Sequence, residues 1–165
     1  MRTIGVGIAA VCLGLAACGD GSGISGVSGS TPAYEDISGV YSAEVSAVGP
    51  DVALAGTMVM TLIQSDSTFV GTYEIVGTLD DNGVVGPVTL LGAVNSGTLA
   101  AGKNPLLQMN WSPDGCGPLF YSNSGSYSST LQQITVSPAE IPVQDAGCLS
   151  IVRSVPDTLV FVHQP

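Results

Sequence analysis

The sequence predicts an all-β protein, an antiparallel up-and-down meander closing into a small barrel, with a β-sandwich as the alternative. Three observations carry that expectation. The 165 residues include 22 glycines and 10 prolines but only 10% charged residues, a composition suited to short strands joined by tight turns. Polar and apolar residues alternate with a period of two through the middle of the chain. No window after residue 20 shows a convincing 3.6-residue period.

The elements follow in order. A first strand is expected at Ile37–Ala47. In the segment Thr57–Gln64, Met58, Met60 and Leu62 fall on one face, with Thr57, Val59, Thr61 and Ile63 on the other. Ser65-Asp66-Ser67 is a turn cluster. Beyond it Phe69, Gly71, Tyr73 and Ile75 alternate with Val70, Thr72, Glu74 and Val76, which makes a hairpin. Asp80-Asp81-Asn82-Gly83 is a second turn, because Asn and Gly both tolerate positive φ, and it leads into a strand at Val84–Val94. Further strands are expected at Leu106–Trp111, Ser126–Val136 and Thr158–Gln164. Gly-Thr recurs at residues 56, 71, 77 and 97 with irregular spacing, which reads as strand starts in a meander. Serial hairpins commonly remove their exposed edges by closure, so Thr158–Gln164 should pair with Ile37–Ala47.

The amino terminus has a different character. After Arg2, residues 4–17 form an uncharged apolar run, shorter than the roughly 20 residues a permanent membrane span needs and suited to a signal-peptide helix. Leu15-Ala16-Ala17-Cys18 follows directly and resembles the lipobox of bacterial lipoprotein precursors. Cys12 fits that pattern less well, since Val11 rather than a small residue precedes it. The resemblance implies a mature chain that begins at an acylated Cys18. Two acyl chains exceed the threshold for stable anchoring. It also implies an address in the cell envelope, facing the periplasm or the surface. Gly19 rather than aspartate follows the cysteine, which favours the outer membrane over the inner.

The expected organisation is therefore a signal peptide (1–17), a lipidated cysteine with a flexible Gly/Ser tether (18–33) and a single all-β domain (34–165). With three basic and thirteen acidic residues the net charge is −10. Phosphate neutralisation needs clustered Lys and Arg, so nucleic acid is excluded as a partner, and lipid rather than charge would hold the protein at a membrane.

At the start of the domain, Ile37-Ser38-Gly39-Val40-Tyr41 resembles the opening of lipocalin-like barrels, whose first strand carries Gly-x-Trp. Here Tyr41 stands where the tryptophan would be, and no later lipocalin signature follows. The resemblance implies a cavity for a small apolar ligand. Met58, Met60, Tyr73 and Trp111 are the candidate lining residues, with core packing as the alternative role.

Residues able to carry catalysis are sparse. Cys116 and Cys148 are the only thiols beyond Cys18, and an isolated pair in an oxidising compartment reads as a disulfide. The single histidine, His163, lies near the carboxyl terminus without a Gly-x-Ser-x-Gly motif, and reads as a strand residue at a barrel rim. Asp80-Asp81-Asn82-Gly83 has half the look of a calcium loop, yet no Glu stands at the twelfth position. Glu44 and Glu74 would need to face each other to act as a glycosidase pair. Phe120-Tyr121, in the long segment between Ser112 and Ser126, are candidates for an exposed contact. No catalytic residue, metal or cofactor is expected. The functional expectation is a non-enzymatic binding or envelope-interaction module, membrane-anchored through its lipid. Its partner would be a small apolar ligand or an envelope component. An envelope hydrolase and a purely structural envelope protein are the alternatives.

Overall fold

The computed structural model describes residues 33–115, 121–137, 140–143 and 150–165. Within them the chain forms ten strands: β1 (Gly39–Val48), β2 (Val52–Ser65), β3 (Thr68–Asp81), β4 (Val84–Leu99), β5 (Leu106–Pro113), β6 (Tyr121–Ser128), β7 (Gln133–Val136), β8 (Glu140–Val143), β9 (Ser150–Ser154) and β10 (Leu159–His163). They belong to a compact unit spanning Thr31–Pro165. Residues 1–32, which hold the expected signal peptide, Cys18 and most of the expected tether, lie outside the described residues, as do Cys116, Phe120 and Cys148.

Strands β1 to β7 pair in sequence order, each antiparallel to the next. β10 then pairs with both β7 and β1, which closes an eight-stranded barrel. The closing seam matches Tyr41 with His163 and Ser42 with Val162. It is reinforced by Gln164, whose N–H donates to the Val40 carbonyl at 2.7 Å and whose Nε2 donates to Ser42 Oγ at 2.7 Å. The expected pairing of first and last strands is thus present, and the barrel rather than the sandwich is the architecture.

The turns use the chemistry their residues supply. Asn82 and Gly83 adopt φ of 53° and 84°, the pair of positive values a two-residue type I′ hairpin requires. Gly83 N–H donates to Asp80 Oδ1 at 2.8 Å and Asn82 Nδ2 to Asp81 Oδ1 at 2.9 Å. Asp66, with φ of 53°, opens the β2–β3 turn.

Three expectations need correction. The segment Ser126–Val136 is not one strand. It turns at residues 129–132, with Gln132 at φ of 50°, and divides between β6 and β7. The Gly-Thr pairs are not strand starts, because each lies inside a strand. Gly56 and Gly77 face each other across β2 and β3, where a Cβ on either would strike the partner's backbone. The small residues therefore mark close strand approach rather than boundaries. The supposed loop from Ser112 to Ser126 is shorter, since β5 runs to Pro113 and β6 begins at Tyr121.

The β8–β9 hairpin has no counterpart among the expected strands. β9 pairs with β1 at Ala47 and Val48, and Asn123 on β6 exchanges two hydrogen bonds with the Glu140 backbone, at 3.2 and 3.4 Å. Ile141 and Val152 are fully buried in the common core. The hairpin thus covers one end of the barrel, and Arg153 clips it with an exposed 2.8 Å contact to Glu140. Inside, one contiguous core runs from Ile37 through Met58, Met60, Phe69 and Trp111 to Phe161.

Candidate functional site

Met58, Met60 and Trp111 are fully buried and Tyr73 is 3% exposed, so all four candidate lining residues face the barrel interior. The structure brings Tyr73 and Trp111 together edge to face, with ring centroids 5.8 Å apart, and Phe161 lies 6.4 Å beyond Trp111. Met109, also fully buried, joins the same core. These side chains pack against one another as core residues. Among the described residues two polar atoms of this set find no hydrogen-bond partner, the Tyr73 hydroxyl and Trp111 Nε1. An unpaired buried polar group costs about 1–3 kcal/mol, so both stand out.

The Tyr73 hydroxyl lies on the inner face of the wall, over Gly92. Tyr73 on β3 is the cross-strand partner of Gly92 on β4, and its phenol fills the volume a side chain at 92 would take. Gly92 is in turn the partner of Pro113 at the end of β5. The next residue, Asp114, donates its N–H to the Leu91 carbonyl at 2.8 Å. Burial pushes the Tyr73 hydroxyl pKa well above its ordinary value, and the Asp114 carboxylate raises it further.

Around this point the wall forms a groove of ≈ 370 Å³, with Tyr73, Gly92 and Asp114 among its lining. The rest comes from outward positions on three strands, aligned by register. Val59 stands beside Glu74, and Glu74 beside Leu91. In the next row Thr61, Thr72 and Ala93 stand abreast. Val59 is 39% and Leu91 49% exposed, as are other large apolar side chains of the outer wall such as Ile63, Val70 and Val76. No basic residue lines the groove. Among the described residues the ion pairs are those of Arg153 with Glu140 and Asp157, so neither Glu74 nor Asp114 is neutralised there.

The neighbouring wall, from the far half of β4 to β6, is different in kind. Ser122 and Ser124 on β6 are exposed beside Gln108 and Asn110 on β5. Asn110 Nδ2 donates to Ser96 Oγ at 3.0 Å and Asn95 Nδ2 to Ser112 Oγ at 2.6 Å. Those groups are already paired with one another.

The other candidates fall as follows. His163 sits at the rim, its ring edge-on to Tyr41 at 5.1 Å and close over Gly39. Its N–H donates to the Gln132 carbonyl at 3.0 Å. Its ring bonds no serine or aspartate among the described residues. Glu44 accepts a hydrogen bond from Thr57 Oγ1 at 3.1 Å and is separated from Glu74 by the whole of β2, so the two carboxylates are not neighbours. The Asp80–Gly83 segment is a hairpin turn. Among the described residues no three His, Cys, Asp or Glu side chains converge as a metal site would require. Tyr121, expected in an exposed loop, instead opens β6 and packs half-buried against the core.

Period-two reading placed Val59 and Glu74 on outward faces, yet Asp114, Leu91 and Gly92 carried no sequence signal of a site. Their convergence depends on register across three ladders. Comparison with family models, with curated proteins and with solved structures returned no match to this chain.

Proposed function

We propose that the protein is a lipid-anchored bacterial envelope lipoprotein whose barrel serves as a non-enzymatic binding or envelope-interaction module. The observation that carries the reading is Leu15-Ala16-Ala17-Cys18, set directly after the apolar run of residues 4–17. Acylation at Cys18 supplies the membrane attachment, the Gly/Ser segment supplies reach, and the outer membrane is the favoured destination. A barrel that closes on itself leaves its turns and outer wall free to meet a partner.

In the lipocalin-like form of this reading, an apolar ligand enters among Met58, Met60, Tyr73 and Trp111. Methionine side chains re-pack readily, but the ligand would have to displace packed neighbours. The outer groove is open already. Export would also favour a Cys116–Cys148 bridge, whose chain-entropy contribution is about 3–4 kcal/mol.

Fatty-acid labelling of cells expressing the native chain or Cys18→Ala tests the anchor. The native protein should carry label and fractionate with membranes, while the variant should lose both. Equal label in the two would overturn the reading.

A further inference from the structure

We infer that Asn82-Gly83, at the tip of the β3–β4 hairpin, is a site of spontaneous covalent modification, deamidation through a cyclic imide, and that Asp80 holds the reaction back in the folded protein. The inference is independent of the anchor and of any ligand, since the only co-reactant is water. The Gly83 backbone nitrogen gives up its proton to solvent hydroxide and attacks Asn82 Cγ, so that an N–Cγ bond forms as the Cγ–Nδ2 bond breaks. Ammonia leaves, taking a proton from water and returning the hydroxide. Water then opens the imide ring at either carbonyl, which leaves an aspartyl or an isoaspartyl residue at 82. Asn82 is the one asparagine of the sequence followed by glycine, where no Cβ hinders the approach. Asn104 precedes a proline, whose nitrogen has no proton to lose.

The tip is open to the reagents. Asn82 and Gly83 are exposed, and nothing lies within 4 Å of the place a Cβ on Gly83 would take. The nucleophile is what the turn restricts. The Gly83 N–H donates to Asp80 Oδ1 at 2.8 Å, so the proton that must leave is held by a carboxylate. That carboxylate also opposes the negative charge that develops on the nitrogen as the proton departs. The electrophile is held separately. Asn82 Nδ2 donates to Asp81 Oδ1 at 2.9 Å, and the Asn82 N–H donates to the Asp51 carbonyl at 2.9 Å. With φ of 53° at Asn82 and 84° at Gly83, these bonds fix a two-residue turn that ring closure has to loosen. An isoaspartyl product would lengthen the backbone of a turn with no residue to spare, and the pairing of Asp81 with Val84 would be the first to go.

The test ages purified full-length protein in detergent beside the same chain unfolded in guanidinium chloride, both at mildly alkaline pH. Mass spectrometry of peptides locates the exchange of amide nitrogen for oxygen, and fragmentation separates isoaspartyl from aspartyl. In the unfolded chain Asn82 should convert before any other asparagine. In the native protein it should convert at least about tenfold more slowly, because the turn must first open. Asp80→Ala should speed the native reaction by about threefold or more, the loss of one hydrogen bond to a charged group. Asp80→Ser, whose hydroxyl can still accept the N–H, should fall between the two. Asp81→Ala leaves the Gly83 N–H bonded and should change the rate less than Asp80→Ala does. Far-ultraviolet dichroism checks that each variant is folded, and all of them should react alike once unfolded. Equal native and unfolded rates, an unchanged native rate in Asp80→Ala, an Asp81→Ala rate matching that of Asp80→Ala, or earlier conversion at Asn95 or Asn123 in the unfolded chain would each overturn the inference.

Discussion

Tyr73 and Gly92 are partners across the β3–β4 ladder, and the phenol of one occupies the side-chain volume of the other. A glycine in a strand interior weakens the strand, but here its empty position lets a large ring lie flat on the inner wall next to Trp111. Phe69 and Gly97 repeat the relationship farther along the same two strands. Aromatic cover of this kind is a known device for bending a sheet into a barrel.

Gly92→Ala should therefore destabilise the fold by about 1–3 kcal/mol, the usual cost of overpacking a filled core. A Cβ at 92 meets both the Tyr73 ring and the Ser112 carbonyl oxygen. In a Tyr73→Ala background the same change should cost less but still something, since the Ser112 carbonyl remains. Urea denaturation of the four proteins in the cycle measures the coupling. Additive effects would show that ring and glycine do not share that space.

Tyr73→Phe should have the opposite sign. Replacing a buried tyrosine usually removes a hydrogen bond, but this hydroxyl makes none among the described residues. The variant should be as stable as the native protein or more stable by up to about 1 kcal/mol. A loss above 1 kcal/mol in urea denaturation would mean that the hydroxyl is satisfied in solution.

Alkaline titration should separate native from unfolded protein. Desolvation pushes the hydroxyl pKa values of Tyr41, Tyr73 and Tyr127 above the ordinary value near 10. Tyr41 also donates its proton to the Ile37 carbonyl at 3.0 Å. Above pH 10 the unfolded chain sheds phenolic protons that the native state keeps, so stability falls as pH rises. Below pH 10 that contribution is fully present. The urea midpoint should decline between pH 10 and 12, and part of the tyrosinate absorbance at 295 nm should appear only as the far-ultraviolet dichroism collapses. Complete ionisation of all five tyrosines with the dichroism intact would contradict this.

Much of the barrel was legible because its signals are local. Alternation from Thr57 to Val76 around the Ser65–Ser67 turn defines one hairpin, and the Asn82-Gly83 turn begins the next, both without long-range information. The closing partnership of β1 with β10 followed from the need to cover edges. The β8–β9 hairpin was not legible, because its strands of four and five residues are too short to show a period and are held by Asn123 and Ile141 contacts distant in sequence. The break between β6 and β7 was missed for a related reason. Ser-Thr-Leu-Gln at 129–132 lacks glycine and proline, and Gln132 takes positive φ unannounced. The groove was the least legible, since Glu74, Leu91 and Asp114 come to one wall only through register across the β2–β5 ladders.

Gln64 shows how one polar side chain can hold a barrel's start in place. Its Oε1 accepts the Ile37 N–H at 2.8 Å, while its Nε2 donates to the Glu35 carbonyl at 3.0 Å and the Asp66 carbonyl at 2.8 Å. Its own N–H donates to Ser38 Oγ at 3.1 Å. The segment before β1 is thereby tied to the β2–β3 turn, with Ile37 fully buried beneath. Gln64→Ala should cost about 1–3 kcal/mol, because partly buried backbone groups lose their partners. Gln64→Glu keeps the acceptor for Ile37 but loses both donors, and at neutral pH sets a carboxylate against two carbonyls. It should be at least as damaging there, and should recover partly at pH 4, where the protonated acid regains one donor. Amide exchange at Ile37 and Ser38 should rise in both variants well before exchange in β3. Unchanged protection at Ile37 in Gln64→Ala would show that strand pairing alone secures the segment.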